Sequence, residues 1–142
     1  MGFESNIDNV FKELTNWEEK ALDAIGLFGT AEAKLRCPVG KYYNGQVGGN
    51  LRSSIGFVTD NKKKSVHVGT NVEYALPVEK GTAPHLILPK NAKMLSWVGK
   101  DGKRVFAKKV NHKGTRAQPF LTPAIEGNGK QIQKIIEKIR FP

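Results

Sequence analysis

The stretch "HKGTRAQPFLTPAI", residues 112–125, leads from a strand-like segment into the last helix-like segment of the chain. Its Lys-Gly-Thr repeats the start of "KGTAPHLILP", residues 80–89. Glycine adopts turn conformations that a side chain would strain, and proline ends or redirects a short segment. Both copies are therefore interpreted first as architecture and second as a docking surface.

The two copies supply the candidates for turns and anchors. Phe120 and Leu121 are predicted to fasten the last helix to a sheet. The copies do not indicate a solenoid, because the residues between them do not match and a solenoid needs at least three repeats. The turn and anchor candidates are Gly81, Pro84, Gly114, Pro119, Phe120 and Leu121.

Length and composition indicate one globular domain over residues 1–142. The hydrophobic fraction is 39%, and no run approaches the ~18 apolar residues that would span a bilayer. The first residues, "MGFESNIDN", lack the pattern of a signal peptide, so we expect a cytoplasmic site of synthesis and no membrane partner. The single cysteine, Cys37, excludes an intrachain disulfide and favours a buried thiol.

The net charge of +10 is the one unusual feature of the overall composition. It is compatible with a nucleic-acid partner, with an acidic protein partner, or with a lysine-rich surface that keeps the protein in solution. The lysines are spread along the chain and are not interleaved with aromatic residues as a single-strand stacking platform requires.

The pattern of apolar residues predicts an N-terminal helical segment, residues 1–38, with the helix over residues 5–37. Its stripe begins Ile7, Val10, Phe11, with a kink or break expected near Gly26 and Gly29. Residues 39–50 form a glycine-rich loop that carries Tyr42 and Tyr43. These tyrosines are equally compatible with a subunit interface and with packing on their own domain.

Residues 51–120 are predicted to form the sheet. Leu51, Ser53, Ile55 and Phe57 alternate as one face of a strand. The stretch "NKKKSVHVGT", residues 61–70, holds the return strand of a hairpin, with Val66 and Val68 on one side and Lys62, Lys63 and Lys64 at the tip. "HLIL" is predicted as a short strand that its flanking prolines keep to a sheet edge or isolated, and Asp-Gly at residues 101–102 predicts a second hairpin. With an amphipathic helix over residues 121–140, the fold class is α+β with about four to five antiparallel strands.

No residue pattern indicates catalysis. The spacing of His67, His85 and His112 fits no metal-ligand pair, and no serine or threonine lies in a nucleophile-elbow context. We therefore expect no cofactor, no metal and no enzymatic activity. A hydrolase or nuclease that acts through His85 or His112 is the third and least favoured hypothesis.

Three motifs resemble the tail-completion, or head–tail joining, proteins of long-tailed bacteriophages. They are "GNLRSSI" at residues 49–55, "YALPVEKGT" at 74–82 and "HKGTRAQPFL" at 112–121, followed by the closing helix. One position departs from the resemblance: Lys80 stands where an aromatic or apolar residue is usual. The first helix and the tyrosine loop carry no matching motif.

The resemblance implies a virion protein at the head–tail junction, assembled in the host cytoplasm. Its partners would be other copies of itself in a ring of six, the tail tube protein and the head connector or stopper protein, with DNA passing through the lumen without sequence-specific contacts. The candidate interface residues are Tyr42, Tyr43, Lys62, Lys63, Lys64, Glu79, His85, Arg116 and Gln118. The alternative from another class is a basic nucleic-acid-binding domain.

Overall fold

The computed structural model describes residues 7–40 and 48–139. These residues form an α+β fold, which confirms the predicted class. In chain order the elements are α1 (Ile7–Arg36), α2 (Asn50–Ser54), β1 (Gly56–Asp60), β2 (Ser65–Gly69), α3 (Ala75–Lys80), β3 (His85–Ile87), β4 (Leu95–Val98), β5 (Arg104–Ala107), β6 (Val110–His112), α4 (Thr122–Glu126) and α5 (Gly129–Lys138).

Helix α1 runs without a break through both glycines where an interruption was considered. Gly26 and Gly29 are buried, and they leave room for other elements to approach the helix. A Cβ at Gly26 would lie 2.2 Å from Phe57 Cδ2, and one at Gly29 would lie 2.8 Å from Ile125 Cδ1. The glycines therefore allow close packing of β1 and α4 against α1, and they do not end the helix.

The strand predicted from Leu51 is wrong over its first four residues, which form the short helix α2. Ser53 Oγ donates to Asn50 O at 2.9 Å and Ser54 Oγ donates to Leu51 O at 2.7 Å. Leu51 and Ile55 are both buried. A spacing of four residues brings them to one side of a helical turn, so their pattern satisfies a helix as well as a strand.

The six described strands form three separate antiparallel pairs, β1–β2, β3–β6 and β4–β5. The hairpin β1–β2 pairs Gly56 with Gly69 and Asp60 with Ser65, and α1 packs against it. The pairs β3–β6 and β4–β5 are nested, because the chain between β3 and β6 contains both strands of the second pair.

The core lies where the C-terminal half of α1 meets the short helices α2, α3 and α4. Phe120 is its largest fully buried side chain, with 0% exposed. The remaining buried members of this cluster are Ala33, Cys37, Leu51, Ile55, Ala75 and Ala124. The buried thiol predicted for Cys37 is confirmed. Burial raises the pKa of Cys37, an effect that the charge of Arg52 partly opposes.

The closing helix is divided into α4 and α5 at Gly127 and Asn128, where one continuous helix was predicted. A Cβ at Gly127 would lie 2.6 Å from Pro123 O. Asn128 is buried, and its Nδ2 donates to Ala124 O at 2.9 Å. Both helices pack against α1, and Trp17 Nε1 donates to Ile139 O just beyond the end of α5.

Candidate functional site

The two Lys-Gly-Thr copies lie side by side and pair as an antiparallel bridge. Thr82 N donates to Thr115 O at 3.0 Å, and Thr115 N donates to Thr82 O at 3.1 Å. The two hydroxyl oxygens are 3.0 Å apart, within hydrogen-bonding distance. We call the paired segments, residues 79–84 and 113–122, the clasp.

Both clasp glycines are required by conformation and by space. Gly81 has φ 74° and Gly114 has φ 84°, in the left-handed region that favours glycine. A Cβ at Gly81 would lie 2.6 Å from Thr115 O, and one at Gly114 would lie 2.2 Å from Thr82 O. Each glycine thus makes room for the backbone of the opposite copy.

Glu79 fastens the clasp to the start of α4. Its Oε2 accepts backbone N–H hydrogen bonds from Phe120 at 2.7 Å and Leu121 at 3.0 Å, and Oε1 accepts one from Thr122 at 2.9 Å. Burial raises the pKa of Glu79, but the hydrogen bonds from these three residues outweigh it, so the pKa lies below its ordinary value. The carboxylate proposed as an interface group is therefore engaged within its own chain.

The other clasp candidates divide into exposed and covered side chains. Arg116, Gln118, Pro84 and Pro119 are exposed, whereas Leu121 is half-buried. The backbone N–H of Gln118 donates to Val78 O at 2.8 Å. Gln118 also lines a hollow of about 330 Å³ that is bordered by the two ends of the glycine-rich loop.

His85 and His112 are register partners in β3–β6, with ring centroids 4.9 Å apart. His85 is exposed, and its Nδ1 lies 2.9 Å from Ala83 O. Gly114 N donates to His112 Nδ1 at 3.1 Å. The pair thus lies at the border of the clasp. Among residues 7–40 and 48–139, no group of three or more His, Cys, Asp or Glu side chains could hold a metal ion.

The three lysines at the tip of the first hairpin have different surroundings. Asp60 Oδ1 accepts from the backbone N–H of Lys62 and of Lys63, each at 3.1 Å. Lys64 Nζ forms an ion pair of 2.8 Å with Glu18 on α1. Lys62 and Lys63 are exposed, so these two present positive charge to solvent. Tyr42 and Tyr43 lie outside the described residues.

Sequence reasoning missed the exposed apolar residues between the two halves of the clasp. We call residues 85–112 the arm; its exposed large apolar side chains are Leu86, Leu88, Met94, Trp97, Val98, Val105 and Phe106. The sequence of β5 contained a signal of this exposure. Phe106 lies two residues after Arg104, so both side chains are on the face of the strand that was expected to be polar.

The arm is also strongly basic. It carries one acidic residue, Asp101, against seven basic ones: Lys90, Lys93, Lys100, Lys103, Arg104, Lys108 and Lys109. The arm thus has a net charge of +6, against +10 for the whole chain. Of the helices in the described part of the chain, none is long and apolar enough to cross a bilayer.

A family model described as "Bacteriophage HK97-gp10, putative tail-component" matches residues 2–81, more than half of the chain. The match includes the first helix and the tyrosine loop, in which no motif was identified. It ends at Gly81, so the third motif lies beyond it. Comparisons with curated proteins and with solved structures returned no match. The extent of the family match shows that the chain belongs to the HK97-gp10-like family of bacteriophage tail components.

Proposed function

We propose that this chain completes the tail of a long-tailed phage and joins it to the head. Copies of the chain form a ring of six at the head-proximal end of the tail tube, and the ring docks on the connector proteins of the capsid. The observation that carries the proposal is the family match over residues 2–81, since a tail component acts through contacts with other virion proteins.

The surface of the chain supports a role in assembly. Large apolar side chains are exposed on the opening turns of α1 and on the arm, including Phe11 at 62% and Phe106 at 58%. Exposed apolar groups rimmed by polar residues mark protein–protein interfaces in soluble proteins. Gln118 offers a polar group in the hollow that Gly40 and Gly48 border, and Arg116 is an exposed charge in the same segment of the clasp.

The test of the joining role is electron microscopy of lysates from phage in which this gene is disrupted. The expected result is DNA-filled heads beside separate tails of normal length. Supplying the intact gene in trans should restore joined particles. Normal infectious particles without the gene product would contradict the proposal.

The contribution of the hairpin tip can be tested in the same assay. A Lys62→Glu/Lys63→Glu variant changes two exposed charges and leaves the Lys64–Glu18 ion pair intact. Reduced joining by the variant, with a difference from wild type that shrinks at high salt, would assign the tip to an acidic neighbour, because salt screens both the attraction of the lysines and the repulsion of the glutamates. The matched control is Lys130→Glu/Lys134→Glu, which reverses two exposed lysines on α5. Equal joining by both variants would remove the tip from that role.

The charge of the arm favours one second candidate, a basic nucleic-acid-binding domain. The arm has seven Lys and Arg residues and one Asp, so it would attract the phosphates of a nucleic acid whatever the base sequence. This candidate predicts duplex binding by the isolated chain, with log affinity falling steeply against log salt. Absence of binding at low salt would exclude it.

A further inference from the structure

Two exposed apolar surfaces of the chain carry opposite charge. The first lies on the opening turns of α1, where the exposed fractions of Ile7, Val10 and Phe11 are 59%, 51% and 62%. The helical period places Asp8 on one side of this stripe and Glu13 on the other. Residues 7–23 carry five carboxylates and two lysines, a net charge of −3 in a chain whose total is +10.

The second surface is one face of the β4–β5 hairpin. The register pairs Val98 with Arg104 and Ser96 with Phe106, so these four side chains share a face. All four are exposed, with Val98 at 55% and Phe106 at 58%. We call this the outer face of the hairpin. The opposite face is less exposed: Leu95 and Ala107 are half-buried there, and Trp97 and Val105 are exposed to 42% and 38%.

We propose that the outer face of the hairpin in one copy docks on the opening turns of α1 in the next copy. The proposal rests on the ring assumed in the proposed function and names the contact that would close it. Phe106 and Val98 cover the stripe of Ile7, Val10 and Phe11. Arg104 and the neighbouring lysines meet Asp8 and Glu13 at the rim.

Charge decides between this contact and its alternatives. Pairing two hairpins by a two-fold axis would bring two basic surfaces together, and juxtaposed like charges are unfavourable at an interface. The two surfaces are different and complementary, so they meet either twice about a two-fold axis, which closes a dimer, or once head-to-tail, which produces a ring when its rotation closes. The head-to-tail contact is the one that the assumed ring requires. Both surfaces are exposed in the single chain, so neither is occupied by the other within one copy.

Disulfide trapping between introduced cysteines tests the contact in the full chain. Phe11→Cys chains mixed with Phe106→Cys chains should give a cross-linked dimer and nothing larger. A chain with both changes should give a ladder that ends at one closed species. Cys37 is buried, so chains without introduced cysteine report the background. Trapping is measured in concentrated protein and in purified phage particles.

Leu27→Cys is the matched control for Phe11→Cys, because Leu27 lies on the same helix with the same exposed fraction of 62%. Paired with Phe106→Cys, it should give at least tenfold less cross-linked product. Equal yields from Leu27 and Phe11, a dominant bond between two copies of Phe106→Cys, or no product in either protein or particles would each overturn the proposal.

Charge reversal gives an independent measurement. Arg104→Glu and Glu13→Lys should each lower the yield of trapped dimer about fivefold, the effect expected of one surface ion pair, and combining them should restore it. Failure of the combination to recover any yield would contradict the pairing of these two surfaces.

Two outcomes separate this proposal from its rivals. If traps fail and Phe106→Ser weakens binding of single-stranded DNA, the outer face is a nucleic-acid surface and the proposal is wrong. If traps fail while gene disruption still blocks head–tail joining, the contact is wrong and the joining role stands. If the ladder forms while joining is normal without the gene, the contact stands and the joining role is wrong.

Discussion

The clasp and the arm are adjacent in the chain, yet they use their residues in opposite ways. In the clasp, backbone and carboxylate groups of the two segments bond to each other, and Phe120 of the second segment is completely buried. In the arm, strands of three or four residues expose Val98 and Phe106. The comparison shows that the clasp bonds its polar groups internally and buries its large apolar side chain, whereas the arm leaves large apolar side chains exposed.

The largest difference is expected between the two phenylalanines. Phe120→Ala should lower the free energy of unfolding by about 3–5 kcal/mol, because it leaves a cavity in the core. Phe106→Ala should change it by less than about 0.5 kcal/mol, because the ring is exposed in the free chain. Urea unfolding followed by circular dichroism measures both. A comparable loss from Phe106→Ala would mean that the arm contributes to the core, and would break the comparison.

The glycines at the two sites form a second matched pair. Gly114 in the clasp has φ 84° and Gly102 at the turn of the arm has φ 76°, so alanine is strained at both. A Cβ at Gly102 meets nothing within 4 Å, whereas one at Gly114 lies 2.2 Å from Thr82 O. We expect Gly102→Ala to cost about 1 kcal/mol and Gly114→Ala about 3 kcal/mol, since the second must also displace the paired backbone.

Equal costs from the two glycine variants would show that conformation alone decides both sites. The close approach within the clasp would then relax without penalty. Thermal and urea unfolding of the same two variants distinguish these outcomes.

Glu79 in the clasp is expected to contribute more to stability than Asp101 in the arm. Glu79→Gln removes a charge that accepts three backbone N–H bonds, and we expect a loss of about 1–2 kcal/mol at neutral pH. Asp101→Asn in the arm weakens only one turn bond, from Lys103 N at 3.2 Å, and should cost less than about 0.5 kcal/mol.

The stability that Glu79 contributes should depend on pH with a defined sign. Its pKa is lowered in the folded chain, so the folded state holds the ionised form more strongly than the unfolded state does. The contribution is complete above the ordinary glutamate pKa and is lost as pH falls through the lowered value. The difference between wild type and Glu79→Gln should therefore shrink on acidification; a difference that is constant from neutral to acidic pH would contradict this role.

Local patterns predicted the parts of the fold that local chemistry controls. Alternation identified β2 and its hairpin with the preceding segment, and Asp-Gly at residues 101–102 identified the turn between β4 and β5. The same reasoning failed at Leu51 and Ile55, whose spacing fits a helical turn as well as a strand. It also treated Gly26 and Gly29 as interruptions, because the side chains that pack on them come from distant segments.

The candidate site shows the same limit. The sequence reveals two Lys-Gly-Thr copies, but their pairing across 33 residues depends on tertiary structure. Glu79 precedes its three donors by more than forty residues, so no local motif relates them. The exposure of Phe106 follows from the absence of a covering element over the outer face, within the part of the chain that the structure describes. A strand that is apolar on both faces is the one signal that could have indicated it.

The smallest expected effect on stability lies within the clasp, where the threonines of the two Lys-Gly-Thr copies make different hydrogen bonds. Thr82 Oγ1 lies 3.0 Å from Thr115 Oγ1 and also accepts from Thr115 N at 3.0 Å. Thr115 Oγ1 has only the first of these contacts. Thr82→Val should therefore cost about 1 kcal/mol and Thr115→Val about 0.5 kcal/mol, with the double variant costing less than their sum because the hydroxyls share one bond. Urea unfolding of the four chains gives the coupling energy directly. Strict additivity would mean that the hydroxyls act separately and that the backbone bridge alone holds the two copies together.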